Sequence, residues 1–246
     1  MTKKISLATL LFFTVWFINS ACKKSTTTTG GPIVNNNVSA LGDPIGTFSG
    51  LFVEASAANG GIEAGFYNTP MPLHLSTTNA NIPTGTVTAV YCNGTRLAYN
   101  SSGPLYDDTT HILVYPPAVW AITGNANFPS FTYTCTTAMP TYNNGASLPS
   151  VINRNQNLTI PTTDAANYDQ IIITISDAGA HTTSNLAASA SAMSLVCVKD
   201  SLLKLNPTTN GSISVTLYKY NPQAFSGKNY LFITGTSYNK SNVVIQ

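Results

Sequence analysis

From about Gly46 onward, apolar and polar residues alternate in short runs broken by Gly, Pro and Asn. A side chain that changes face at every residue marks a half-buried β-strand, so this pattern excludes a helical body. Thr86-Val87-Thr88-Ala89-Val90-Tyr91-Cys92 leads into Asn93-Gly94 and then Thr95-Arg96-Leu97-Ala98-Tyr99. Asn-Gly between two such runs predicts a hairpin, because both residues tolerate the positive φ that a tight turn demands. Further strands are expected over Ala118–Thr123, Phe131–Thr137, Ile171–Ser176, Ile213–Leu217, Leu231–Thr234 and Val243–Ile245. One helical turn is expected at Asp200–Leu205, with Asp200 as its N-cap.

Composition supports this. Charged residues are 8% of the 246-residue chain and hydrophobic ones 43%, with Thr, Ser and Asn supplying the polarity. Such a chain has apolar material for a core and suits pleated surfaces. Disorder needs the opposite combination of low hydrophobicity and high net charge. The expected fold is all-β, most simply two antiparallel β-sandwich domains over 45–147 and 148–246, the second of immunoglobulin-like size. A single larger barrel is the alternative.

The first 21 residues read differently. Lys3 and Lys4 precede an apolar run from Ile5 to Ile18, followed by Asn19-Ser20-Ala21-Cys22. A short positive start, an apolar core of about 7–15 residues and small residues before a cleavage point make a signal peptide. A spanning helix needs about 20 apolar residues. Asn19-Ser20-Ala21-Cys22 resembles the lipobox of bacterial lipoproteins, although Asn19 stands where that family prefers Leu. The resemblance implies acylation at Cys22 and anchoring through lipid chains. Residues 22–44, rich in Lys, Thr, Gly and Asn, offer nothing to bury and read as a flexible tether. Lys23 stands where inner-membrane retention signals of the enterobacterial type put Asp, which implies the outer membrane, with the leaflet open.

Without Lys3 and Lys4 the body carries nine basic and nine acidic residues, and Arg96 and Arg154 are its only arginines. A neutral body has no patch to track phosphates, so nucleic acid is excluded as a partner.

Chemical candidates are sparse. No cofactor is expected, and the metal-hydrolase, nucleophile-elbow and phosphate-loop motifs are absent from the sequence. Glu54 and Glu63 are the only glutamates. Asp107-Asp108-Thr109-Thr110-His111 is the one run in which acids meet a histidine, and it reads as a solvated loop or, less simply, as a cation site. Cys92 and Cys135 have two readings, a disulfide suited to an oxidising compartment or two small core residues. Cys197 shares a face with Met193 and Leu195 and reads as core. On Ile213–Tyr220 and Tyr230–Ile233 the alternation sets Tyr218, Tyr220, Tyr230 and Phe232 against the apolar residues. If the strands pair through Asn221–Lys228, four rings share an outward surface on which sugar rings could stack. The competing reading covers that face with the first domain or with a second sheet.

The order of lipobox, tether and β-rich body resembles accessory lipoproteins of glycan-uptake systems in Gram-negative bacteria. With no catalytic constellation among the residues, the expected role is non-enzymatic, binding a glycan or another envelope protein or serving structurally, with a glycan-acting hydrolase as the less favoured alternative.

Overall fold

The structure is a computed structural model describing residues 46–53, 61–66, 85–101, 105–108, 116–143, 145–179, 181–188 and 194–246. The expected signal peptide, Cys22 and the tether lie outside these residues, as do Glu54, His74 and His111.

The fold is all-β. In the first half run β1 (Gly46–Val53), β2 (Gly61–Phe66), β3 (Ala89–Cys92), β4 (Thr95–Arg96), β5 (Ala98–Asn100), β6 (Leu105–Asp107), β7 (Ala118–Thr123) and β8 (Phe131–Cys135). Then follow β9 (Thr141–Tyr142), β10 (Val151–Ile152), β11 (Leu158–Pro161), β12 (Ala165–Ala166), β13 (Gln170–Ser176), β14 (Thr182–Ala188) and β15 (Ser194–Cys197). The chain closes with a short helix α1 (Lys199–Leu202) and two long strands, β16 (Thr208–Phe225) and β17 (Lys228–Ile245).

Among the described residues nine strands form one sheet in the order β14-β13-β16-β17-β1-β2-β6-β5, with β10 also paired to β17. A second sheet has the order β4-β3-β7-β8, and two small pairs, β11-β15 and β9-β12, complete the strands. The first and last strands, β1 and β17, run parallel from Gly46 beside Tyr230 to Val53 beside Ser237. Every other pairing in the long sheet is antiparallel except β10 with β17.

The hairpin β16–β17 is the spine. Its turn is Ser226-Gly227, with φ of 51° and 75°, and Phe225 faces Lys228 across it. Two successive positive φ values match the right-handed twist of the flanking strands, which is why a Ser-Gly pair serves there. The Asn93-Gly94 turn, with φ of 48° and 80°, joins β3 to β4 in the same way and as expected from the sequence.

Two cores lie on one face of the spine. Phe225, Tyr230 and Phe232 pack with Ile62, Phe66, Tyr106, Trp120, Phe128, Phe131 and Tyr133. Ile213, Val215, Leu217, Val243 and Ile245 pack with Ile171, Ile173, Ile175, Leu202 and Leu205. The expected boundary between 147 and 148 therefore does not separate the cores, because the spine belongs to both.

The two short strands expected over Leu231–Thr234 and Val243–Ile245 are parts of one strand, β17. What breaks its alternation is a bulge. The register moves by one residue between the Gly211–Val243 and Ile213–Lys240 pairs, and Asn242 sits there at φ 57°. An inserted residue reverses which parity faces inward. Even-numbered Tyr230 and Phe232 and odd-numbered Val243 and Ile245 thus all reach the cored side.

The expected helix at Asp200 is also present, displaced. It starts at Lys199, its N-cap position is Val198, and Asp200 lies in the first turn and makes no cap. Asn157 supplies the missing acceptor instead, its Oδ1 taking the Lys199 N–H at 2.8 Å. A cap contributed from a distant loop satisfies the same orphan donor without leaving a local sequence signal.

Candidate functional site

The four rings expected on one outward surface are divided between the two faces of the spine. The tight turn fixes the parity: Tyr218 lies opposite Gly235 and Tyr220 opposite Ile233, whereas Phe232 lies opposite Asn221 and Tyr230 opposite Gln223. Residues directly opposite share a face. The expectation took Asn221–Lys228 as a loop, whereas β16 runs on to Phe225 before a two-residue turn.

Tyr230 and Phe232 are each 1% exposed. The β4-β3-β7-β8 sheet covers them, as the competing reading anticipated. Tyr133 approaches Phe232 at 4.5 Å between ring centroids and Phe131 approaches Tyr230 at 4.8 Å. Phe131 also stacks on Phe225 at 4.1 Å. Tyr218, on the other face, is 7% exposed. Tyr220 is half-buried, its hydroxyl donating to Gln170 Oε1. These rings form no exposed platform.

Cys92 and Cys135 are free and buried, as is Cys197. Cys92 faces Trp120 on β7, and Cys135 faces Ala118 on that same strand. With β7 between them, the two backbones stand about 10 Å apart, beyond the roughly 7 Å that a disulfide can span. They fit the other reading, small core residues. Both line a cavity of about 20 Å³ together with Ala118, Trp120, Met139, Phe232 and Thr234. That is room for about one water. Burial, then Asp108 and Cys135, push the Cys92 thiol up to about 12, which keeps it protonated and opposes soft-metal ligation.

Asp107 and Asp108 are separated by the alternation of β6. Asp107 lies beside Glu63, while Asp108 is buried near Cys92. Among the described residues no group of three His, Cys, Asp or Glu side chains is arranged to hold a metal ion.

A strongly perturbed acid stands at Glu63, to which the sequence assigns no role. Glu63 sits directly opposite Asp107 across β2 and β6. Its Oε2 is enclosed and has no hydrogen-bond partner. Burial first, and the charge of Asp107 second, raise its carboxyl from 4.5 to about 7. Burial, and secondarily Glu63, raise the Tyr218 hydroxyl. Nearby on the sheet, Asp169 takes the Lys219 ammonium at 2.9 Å and the Tyr220 N–H at 2.8 Å. Glu63 left one trace in the sequence: it interrupts the apolar pair Ile62 and Ala64 at the position alternation turns outward. Which acid stands opposite it was fixed only by sheet pairing between residues 44 apart.

A second polar cluster joins β13–β14 to the α1–β16 connection. Asp177 accepts N–H groups from Gly179 at 2.7 Å, His181 at 3.1 Å and Asn206 at 2.7 Å. The His181 imidazole lies 3.0 Å from its Oδ2. Burial works against the Asp177 anion, but these donors and the imidazole outweigh it and hold the carboxyl below its ordinary value.

The outward face of the smaller sheet is a regular surface. Arg96, Tyr91, Ala121 and Thr132 form one cross-strand row, and Val119 with Thr134 the next. Arg96, Val119, Thr132 and Thr134 are exposed, while Tyr91 and Ala121 are half-buried. Arg96 is the only charge among these six.

No protein-family model matches the chain, and no curated protein matches it. No helix among the described residues is long and apolar enough to cross a membrane.

Proposed function

We propose that the chain is an exported lipoprotein of the Gram-negative outer membrane, anchored through Cys22, whose body acts by binding or as a structural component of the envelope rather than by catalysis. The lipobox-like Asn19-Ser20-Ala21-Cys22 after a short apolar run supports the address. The observation that carries the binding role is the outward face of the β4-β3-β7-β8 sheet. It is regular, almost uncharged and braced from behind by the aromatic core, so partner contact costs little reordering. Within this reading the two cores are two sandwich units sharing the long hairpin.

A face of Thr hydroxyls, one ring and one guanidinium suits a neutral partner. Tyr91 beside Arg96 favours a glycan, whose apolar ring faces stack on aromatics while hydroxyls take hydrogen bonds. A protein strand laid on an edge of the sheet is the alternative.

The test is a glycan-array screen with the chain and a Tyr91→Ala/Arg96→Ala variant. Binding lost in the variant supports a glycan module. Binding retained in full removes this face from the proposal, and no binding by folded protein favours the protein partner. The address is tested separately: Cys22→Ala should move the protein from the membrane fraction to the soluble one.

A further inference from the structure

β2 and β6 meet over two residue pairs, Glu63 with Asp107 and Ala64 with Tyr106. β6 also carries β5, through Ala98, Tyr99 and Asn100. The β5–β6 hairpin, which is the outer edge of the long sheet, therefore joins it along one short seam. The two faces of that seam are built differently. On the cored side Tyr106 is fixed: its ring meets Phe66 edge-on at 5.7 Å, and its hydroxyl donates to Val87 O at 2.6 Å and accepts the Val87 N–H at 2.9 Å. On the other side two carboxyl groups stand opposite each other.

We propose that the Glu63–Asp107 pair is a proton-operated latch on this edge, closed when Glu63 carries its proton and loosened when it does not, with Tyr106 as the pivot. Directly opposed residues have Cβ atoms about 5 Å apart, and like charges there oppose strand pairing. An enclosed carboxylate oxygen without a hydrogen-bond partner has nothing to compensate its lost hydration. Proton release to solvent thus turns a tolerated pair into two opposed anions at a join only two residue pairs long.

The described groups around Glu63 do not offset this. From β6 comes Asp107, and from β5 Asn100, whose amide donates to Asp107 Oδ2 at 3.4 Å. On β1 the residue in register is Ser49, which does not titrate. From β16 comes Tyr218, itself held neutral by burial. No lysine or arginine among the described residues pairs with Glu63. The carboxyl is raised from 4.5 to about 7, so the latch loosens progressively above the ordinary glutamate value and is fully released above neutral pH. Its consequence is an edge of β2 that becomes available for pairing as pH rises, a strand template of the kind other chains recognise.

The chain makes the test direct, because Glu54 and Glu63 are its only glutamates. Carboxyl-¹³C glutamate labelling of the full chain gives one signal for each. One signal should titrate at about 7, and Asp107→Asn should lower that midpoint while leaving it above the ordinary glutamate value, since burial remains. Hydrogen exchange, corrected for its intrinsic pH dependence, should rise at 61–66, 98–101 and 105–107 by up to roughly tenfold per unit of pH between the ordinary glutamate value and about 7, and level off above it. Exchange at 170–176 should not follow. In Glu63→Gln the rise should vanish. Two glutamates titrating in the ordinary range, a seam insensitive to pH, or a response unchanged in Glu63→Gln would each overturn the latch. Should Glu63→Gln fail to fold, the wild-type and Asp107→Asn titrations decide alone.

Discussion

The two cores that share the β16–β17 spine are made of different material. One is aromatic: Phe66, Tyr106, Trp120, Phe128, Tyr230 and Phe232 are all buried in it. The other is aliphatic, built on Ile171, Ile173 and Ile175 of β13 against Ile213, Val215 and Leu217 of β16. Between them the same face turns polar. Asn221 donates to the Tyr133 hydroxyl at 2.7 Å and to Thr137 at 2.9 Å, and Thr236 donates to Pro140 O at 2.7 Å.

The difference follows from what each part of the spine faces. β13 lies beside β16 in the same sheet, and its branched side chains interlock with their neighbours on a pleated surface. The smaller sheet stands across a gap from the other part, and rings fill that gap because each buries about 150–250 Å² in tilted and edge-on contacts. Aromatic residues here join the long sheet to a four-stranded one, whereas aliphatics join it to the short helix and to the small β11-β15 pair.

The aliphatic half depends most heavily on the bulge. Deleting Asn242 restores simple alternation and turns Val243 and Ile245 out of the aliphatic core. At about 1.5–3 kcal/mol for each side chain left exposed, the loss approaches about 5 kcal/mol. Chemical denaturation should show a large fall in midpoint, and an unchanged midpoint would mean the bulge does not set the parity of β17.

Removing one ring comes next. Phe232→Ala should cost about 3–5 kcal/mol and Ile173→Ala about 2–5 kcal/mol. More informative is the shape of the transition. Because the hairpin spans both cores, each variant should still unfold in a single step by tryptophan fluorescence and circular dichroism alike. Two separated steps in Phe232→Ala would show that the cores unfold as independent units.

Smaller effects test the connections. Gly227→Ala places a side chain at φ 75° and should cost about 1 kcal/mol. Asp177→Asn should lower the thermal midpoint by loosening the β13–β14 turn from the segment before β16. The Asp177 carboxyl is held below its ordinary value. Its stabilisation is therefore present above the ordinary carboxylate range and lost as pH falls through that lowered value. The gap between wild type and variant should close on acidification, and a gap that does not change with pH would argue against charge as its source.

The smallest expected effect is none. A reductant should leave the midpoint unchanged, because Cys92, Cys135 and Cys197 are free. Thiol reagents should label them only after unfolding. A reductant-sensitive midpoint would restore the bridge.

Local pattern determined much of this protein. Alternation with its turn residues specified an all-β body, and placed β7 at Ala118–Thr123 and the Asn93-Gly94 hairpin where they occur. These features depend only on each residue's own φ preference and on the period of the side chains, both of which a short window contains. Tertiary structure decided the rest. Whether Tyr218 and Tyr230 share a face depends on the parity of a turn several residues from either. Whether Cys92 meets Cys135 depends on β7 lying between them. Glu63 owes its raised carboxyl first to burial and then to Asp107, a neighbour only because β2 pairs with β6. Each is a contact between distant segments, and its physical source, a register or an enclosure, does not exist until the sheet has formed.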